Sequence, residues 1–392
     1  MLGGILLGPT VFGRVPGFTD VVFPAASVKI LFSVASQFGL VVFMFLVGME
    51  VRSTALLQCT IWGFLVGASS ISMSGIVLPL LAAIPTAYAF NTYVALIEEF
   101  SNTSIGVLAL FIGVCMSMSA LPVLARILLE RNMLTTKLGN MVMGTVTIDD
   151  LIAWILLAVV VGLFESSQSL DIVYTFLLAV GNIAIVIWIV RPLMHKLFHD
   201  VTSHEHVSPH TFFLVFVILL AVSWFTESIG LSSLIGAFQV GLVIPRNAVL
   251  KATLTEKLED FVVVILMPLF FTNSGLRTNF ALIDSAKLWG LTLLVVVVAT
   301  GSKTLSIAVP ARLAGLTTRD SLAFGVLMSC KGLVALITVN VGKDFNVITD
   351  KLFSVLVFMV LTTSMITVPL VDLVLPRSWL REQQAANLAV EL

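Results

Sequence analysis

The chain has 392 residues, of which 58% are hydrophobic and only 11% are charged, and its mean hydropathy is +1.10. A soluble domain carries charge on roughly a quarter of its residues, so this composition excludes a water-soluble globule. The formal net charge of −1 without a basic run gives no indication of a nucleic-acid partner. The three cysteines match no metal-ligand spacing, and we expect no cofactor, no structural metal and no enzymatic activity.

The chain begins with a short apolar segment, Met1–Pro9, that is rich in glycine and too short to span a bilayer. This pattern is typical of the end of a helix whose beginning is missing, so we expect an N-terminally truncated chain. The segment has neither the basic region nor the cleavage site of a secretory signal.

Apolar stretches of membrane-spanning character then recur along the whole chain. A bilayer core needs roughly 20 apolar residues per helix, whereas barrel strands are about half as long and alternate in polarity. The sequence therefore predicts an all-α, polytopic membrane protein in a lipid bilayer, with about 11–12 transmembrane helices. The stretches are Ser27–Met49, Cys59–Ile84, Thr103–Leu128, Leu138–Phe164, Ile172–Val190, Thr211–Thr226, Leu231–Ile244, Phe261–Asn273, Leu288–Pro310, Ser321–Val341 and Leu352–Leu375.

The third stretch contains a helix-breaking sequence, Ser117-Met-Ser119-Ala-Leu-Pro122. Proline removes one helical hydrogen bond, and the freed carbonyl groups persist in a membrane only where they face a cavity. Such a break supplies cation ligands. A plain kink, satisfied by the Ser117 or Ser119 hydroxyl, is the alternative. In the tenth stretch, Ser329-Cys-Lys331-Gly332 is the candidate counterpart of this break.

Three ionisable residues lie deep inside the predicted spans. Asp149 and Asp150 follow Lys137 by about twelve residues, or roughly 18 Å of helix, which is near the bilayer midplane. Lys303 precedes Arg312 by about nine residues, so it is about 13 Å deep. If both helices leave toward the same face, the three residues meet at nearly one level.

This acidic pair has the chemistry of a proton-exchanging cation site. Charges at mid-bilayer are costly, so intramembrane ionisable residues are candidates for function. Two adjacent desolvated carboxylates do not both ionise cheaply, and a proton and a small monovalent cation compete for the same oxygen atoms. The alternative is a buried pair of Lys303 with an aspartate that only joins helices.

Charges in the loops predict the orientation of the chain. Thirteen basic residues fall on one face and six on the other, so the first face, with the C-terminus and the tail 376–392, is predicted to be cytoplasmic. All five histidines lie in one loop of that face, between His195 and His210. The thirteen are Arg52, Arg126, Arg131, Lys137, Arg191, Lys196, Arg246, Lys251, Lys257, Arg312, Arg319, Arg377 and Arg381; the six are Arg14, Lys29, Arg277, Lys287, Lys343 and Lys351.

Two short segments are echoed later in the chain. Gly3–Pro9 resembles Gly236–Pro245, and Phe45–Arg52 loosely parallels Phe271–Arg277. In the predicted topology the glycine-proline segments cross the membrane in opposite directions, which is typical of the inverted repeats of transporters.

Seven motifs in this order resemble the cation:proton antiporter superfamily, in particular its second branch of Kef-type exchangers, plant cation/H⁺ exchangers and fungal K⁺/H⁺ antiporters. The resemblance covers nearly the whole chain. The motifs are GGILLGPTVFGR, FLVGMEVR, SALPVLARILLERNMLTTKLGNM, TVTIDDLIAWILLA, ESIGLSSLIGAF, LEDFVVVILMPLFFTNSGLRTN and GVLMSCKGLVALITVNVG.

The resemblance implies a fold of about thirteen helices with inverted repeats, a dimerisation domain at about 1–49 and 171–250, and a mobile core at about 59–164 and 287–375. Asp150 would alternately bind cation and proton, and Asp149 would pair with Lys303 when the cation is absent. Two broken helices, near Ser119–Pro122 and Ser329–Gly332, would cross beside the acids. The implied partners are K⁺ or Na⁺, H⁺ and a second copy of the chain.

At two positions the chain differs from relatives in that family. Ala335 replaces the acid of the plant-type KGLVEL sequence, and Asp149 stands where many K⁺-type relatives have Asn or Gln. The Asp149–Asp150 pair resembles members that move two protons per cation. A channel-like K⁺ efflux pathway and a non-transporting fragment are the alternative functions.

Overall fold

The computed structural model describes residues 1–18, 22, 26–56, 61–94, 105–131, 133, 136–165, 178, 181–198, 208–229, 232–245, 248–345 and 347–375. Within these residues every regular element is helical, which confirms the predicted all-α class. The predicted tail 376–392 and most of the histidine-bearing loop lie outside the described residues.

Fourteen helices are numbered here in chain order over the described residues. The first seven are α1 (Leu2–Leu7), α2 (Ala26–Leu56), α3 (Ile61–Val94), α4 (Ile105–Ser117), α5 (Leu121–Glu130), α6 (Lys137–Glu165) and α7, which runs over 181–197 through a π-helical turn at Val186–Val190. The others are α8 (Pro209–Ser228), α9 (Ser233–Val243), α10 (248–277, with a π-helical turn at Val262–Leu266), α11 (Ala286–Leu313), α12 (Thr318–Met328), α13 (Gly332–Asp344) and α14 (Asp350–Val374).

The length and apolarity of these helices suit a membrane protein. Within the described residues, seven spans are long and apolar enough to cross a bilayer, and α4 and α9 are shorter apolar helices. Together with the repeats described below, this confirms the predicted polytopic fold. The eighth predicted stretch was too short at its start, because helix α10 begins at Ala248 and not near Phe261. Its first turns are polar, with Lys251 and Lys257 on the helix instead of in a loop, so hydropathy alone missed them.

The chain divides into two compact units, Met1–Leu56 with Val161–Leu282, and Leu57–Val160 with Ile283–Leu392. The first unit contains α1, α2 and α7–α10. The second contains α3–α5, most of α6, and α11–α14. Every predicted site residue belongs to the second unit. The assignment of dimerisation to 1–49 and 171–250 stays a prediction.

Glycines bring helices of the first unit into backbone contact. A Cβ atom at Gly48 of α2 would lie 2.3 Å from the Phe238 carbonyl oxygen of α9, and one at Gly241 would lie 2.2 Å from that of Phe45. Between α1 and α10, a Cβ atom at Gly4 would lie 2.4 Å from the Thr272 carbonyl oxygen. These glycines belong to the echoed segments, so each segment packs against the echo of the other. Reciprocal packing of this kind is what an inverted repeat produces.

Candidate functional site

The first broken helix consists of α4 and α5, separated by Met118–Ala120. Ala120 has extended backbone angles, φ −122° and ψ 98°, and Pro122 lies in the first turn of α5. Pro122 therefore lies in the first turn of the second half-helix instead of interrupting a helix, and the break itself falls at Met118–Ala120, just before that turn. Proline suits this place because a first-turn amide has no intrahelical partner.

The second broken helix consists of α12 and α13, with Ser329, Cys330 and Lys331 between them. Gly332 begins α13 with φ +51°, in the left-handed region that glycine enters without steric cost. A Cβ atom at Gly332 would also lie 2.5 Å from the Cβ atom of Ala120. The glycine thus allows both the turn of the backbone and its close approach to the first break.

The two breaks are joined by hydrogen bonds. The Ser119 hydroxyl donates to the Met328 carbonyl at 2.7 Å. The Lys331 ammonium, 0% exposed, donates to the carbonyl groups of Met116 and Met118, the latter at 3.2 Å. In a continuous helix the Met118 carbonyl would accept from residue 122, but a proline there has no N–H. Lys331 therefore supplies a donor that Pro122 lacks.

Lys303 connects α11 to the first break and to α6. Its ammonium contacts the two carboxylate oxygens of Asp149 at 2.9 and 3.0 Å, and both side chains are 0% exposed. The same ammonium donates to the Gly75 carbonyl at 3.1 Å and to the Ser117 carbonyl. A buried ion pair is stable only when further hydrogen bonds satisfy the remaining groups, and these carbonyl groups do so.

Lys303 and Lys331 place two cations at the carboxyl end of α4. The last carbonyl groups of a helix lack intrahelical donors and carry partial negative charge. The Met116 and Ser117 carbonyls, in the last turn of α4, each accept from one of these lysines. The last carbonyl groups of this half-helix are thereby satisfied by two lysine side chains inside the unit.

Asp150 differs from its neighbour because its carboxylate is buried without a hydrogen-bond partner. The residue is 0% exposed, and neither oxygen is within hydrogen-bonding geometry of any group in the part of the chain that the structure describes. The backbone of Leu121, the first residue of α5, faces this carboxylate without reaching that geometry. Burying an ionised group with no partner is strongly unfavourable, so Asp150 requires a cation or a proton.

The three serines predicted at the helix crossing make different hydrogen bonds. The Ser117 hydroxyl donates to the Val114 carbonyl at 3.0 Å, and the Ser329 hydroxyl donates to the Val326 carbonyl at 2.7 Å, each within its own half-helix. Of the three serines, only Ser119 bonds across the crossing in the described structure. Ser117 contributes its backbone carbonyl to Lys303 instead.

Two residues of this region had not been expected from the sequence. Gly75 on α3 gives its carbonyl to Lys303, and a Cβ atom there would lie 2.6 Å from the Ile307 side chain. Ser364 on α14 accepts from the Gly332 amide at 3.0 Å. Backbone carbonyls and single serines in apolar helices carry no sequence signal, so only the packing reveals them.

Comparison with known proteins gives the family context of this arrangement. A family profile described as "Sodium/hydrogen exchanger, transmembrane" matches residues 1–375. Cation/H(+) antiporter 17 of Arabidopsis thaliana is 37% identical over 95% of this chain and 44% of its own length. K(+)/H(+) antiporter 1 of Saccharomyces cerevisiae is 32% identical over 97% of this chain and 43% of its own.

The Na(+)/H(+) antiporter NhaS4 of Synechocystis is 31% identical over 96% of this chain and 90% of its own length. The chain thus spans about half the length of the plant and yeast relatives. The solved structure of the sodium proton antiporter MjNhaP1 from Methanocaldococcus jannaschii superimposes with a TM-score of 0.59 at 14% identity, over 96% of this chain and 89% of that one. The fold is therefore that of a solved antiporter.

Proposed function

Because the chain belongs to the sodium/hydrogen exchanger family, we propose that it exchanges a monovalent cation, K⁺ or Na⁺, for protons by alternating access. Asp150 is the residue at which the two substrates compete. The observation that carries this proposal is its carboxylate, buried and without a partner in the described structure. Binding a cation or a proton removes the free-energy cost of a buried carboxylate that has no partner.

Competition for one carboxylate couples the two fluxes. A cation bound at Asp150 favours the ionised carboxylate and so disfavours the proton, and a bound proton neutralises the charge that attracts the cation. If the site opens to one side at a time, each substrate must leave before the other enters. Asp149, paired with Lys303, keeps its charge compensated while Asp150 is without cation.

The names of the relatives support both K⁺ and Na⁺ as the transported cation, since they include a K(+)/H(+) antiporter and a Na(+)/H(+) antiporter. Carboxylate and carbonyl oxygens are hard ligands that suit either ion. A side-by-side comparison of the ions is therefore part of the test.

The test is exchange in proteoliposomes that contain a pH-sensitive dye, with outward gradients of K⁺, Na⁺ or Li⁺. Wild-type protein is expected to move protons against at least one of these ions. Asp150→Asn keeps the shape of the side chain but does not bind a proton reversibly, so it is expected to abolish exchange. Asp284→Asn, at an exposed aspartate, is the matched control and should exchange at the wild-type rate.

Two results would contradict the proposal. Exchange at the wild-type rate in Asp150→Asn would exclude this residue as the coupling acid. Cation current without proton movement would indicate the channel-like pathway instead.

We further propose that the protein functions as a homodimer with its C-terminus in the cytoplasm. The excess of basic residues on one set of loops supports the orientation. A cysteine introduced at Ser203, which lies outside the described residues, should react with impermeant reagents only after the membrane is permeabilised. Mass measurement of the detergent-solubilised protein tests the dimer.

A further inference from the structure

Ser364 on α14 lies beside the second break and has no part in the exchange chemistry proposed above. Its hydroxyl donates to the Val360 carbonyl at 2.7 Å and accepts from the Gly332 amide at 3.0 Å. Gly332 is the first residue of α13, and first-turn amides have no intrahelical acceptor. Since the N-cap residue Lys331 provides no side-chain cap, Ser364 caps this half-helix from a neighbouring helix.

The place of Ser364 on α14 parallels that of Asp150 on α6. Each residue lies on the helix that follows a broken helix, near the middle of α14 or of α6. Each faces the first residue of the second half-helix, Leu121 for Asp150 and Gly332 for Ser364. One broken helix therefore has an ionisable acid at this place, and the other has a neutral hydroxyl that completes a hydrogen bond.

The hydrogen bond from the Gly332 amide to Ser364 also affects where the two broken helices meet, because Lys331 is adjacent to Gly332. The ammonium of Lys331 binds the carbonyl groups of Met116 and Met118, so the position of its backbone determines how it meets the first break. Helix α14 also contacts the far end of α13, where Asp350 pairs with Lys343. Helix α13 is thus attached to α14 at both ends.

We propose that Ser364 is a positioning residue for exchange: its hydroxyl fixes the first amide of α13 and so holds Lys331 and the second break against the first break. This role rests on the proposed function, because its consequence is an effect on cation affinity. Loss of the hydroxyl would leave the Gly332 amide without its acceptor, and the broken helix would shift. Asp150 itself would be chemically unchanged.

The experiment compares Ser364→Thr with Ser364→Val in proteoliposomes, because these side chains have nearly the same volume and only threonine retains the hydroxyl. The valine variant is expected to raise the half-saturating cation concentration about tenfold, which corresponds to about 1.4 kcal/mol. The threonine variant should stay within about twofold of wild type. Thr363→Val is the matched control, because among the described residues the Thr363 hydroxyl donates only to carbonyl groups of its own helix, those of Met359 and Val360.

A second readout separates this role from the proposed function. Bound K⁺ or Na⁺ is expected to raise the unfolding temperature of the purified protein. Ser364→Ala removes the acceptor without adding bulk, so this variant should need a higher cation concentration for the same rise. Threonine and valine variants with equal affinities would overturn the positioning role. Wild-type protein without exchange would contradict the proposed function, and the binding comparison would still decide the role of Ser364.

Discussion

Two acidic residues that are neighbours in sequence meet different surroundings. Successive residues of an α-helix point about 100° apart, so Asp149 and Asp150 project toward different neighbours. Asp149 meets the Lys303 ammonium at both oxygens, whereas Asp150 has no hydrogen-bond partner among the described residues. Under the proposed function, Asp149 would compensate the charge of Lys303 while Asp150 binds the cation or the proton.

A first prediction concerns the tolerance of this ion pair to mutation. Asp149→Asn or Lys303→Gln alone leaves one buried charge without its partner, and breaking a buried pair in this way costs about 3–5 kcal/mol. The double variant removes both charges, so it should unfold at a higher temperature than either single variant. Thermal unfolding of the three purified proteins measures this. If the decrease in unfolding temperature of the double variant equalled the sum of the two single decreases, the two charges would not be compensating each other.

At the scale of elements, α14 contacts the second halves of both broken helices at three places along its length. Asp350 in its first turn pairs with Lys343 of α13, and Asp372 near its end pairs with Arg131, the C-cap residue of α5, at 2.8 Å. Ser364 between them caps α13. The helix thus connects three of the four ends of these two half-helices.

A second prediction tests the Arg131–Asp372 contact. Exposed ion pairs contribute little, about 0–1 kcal/mol, but the Arg131 side chain is only 10% exposed. Arg131→Glu and Asp372→Arg should each lower the unfolding temperature, and the double variant, which reverses the pair, should recover most of the loss. A double-mutant cycle is expected to give a coupling of about 1 kcal/mol.

The Arg126–Glu130 pair on α5 provides the control, since its side chains are 80% and 62% exposed. The same charge reversal there should change the unfolding temperature little. Equal coupling at both pairs would show that α14 has no special role in holding α5.

At the scale of the whole molecule, the prediction concerns net charge movement. If Asp149 also carries a proton by exchanging Lys303 for it, each cycle moves two protons against one cation, hence one net charge. The transport rate should then respond to membrane potential, at about 2.3 kcal/mol per charge per 100 mV. Asp149→Asn would leave Asp150 to exchange one proton per cation and should remove the response.

The measurement is exchange in proteoliposomes clamped at two potentials with an ionophore suited to the transported ion. A wild-type rate that does not depend on potential would contradict the two-proton cycle. Electroneutral exchange at Asp150 would remain compatible with that result.

Much of the architecture was predictable because hydropathy and helix breakers act locally along the chain. Runs of apolar residues predicted the helices, and Pro122 and Gly332 indicated where two of them break. The polar start of α10 was missed because charged residues on a helix resemble a loop in a hydropathy profile. Pro122 lies two residues beyond Ala120, the last residue of the break, since proline is compatible with a first helical turn.

The sequence by itself determined that the chain is a helical membrane protein and predicted that Asp149, Asp150 and Lys303 lie deep in its spans, because hydropathy and the helical rise per residue are read along the chain alone. Only the tertiary structure decided which acid Lys303 binds, that Lys331 meets the carbonyl groups of the first break, and that Ser364 caps α13. These partners are between 32 and 215 residues apart in the chain. Their choice depends on distances in space that no local pattern records.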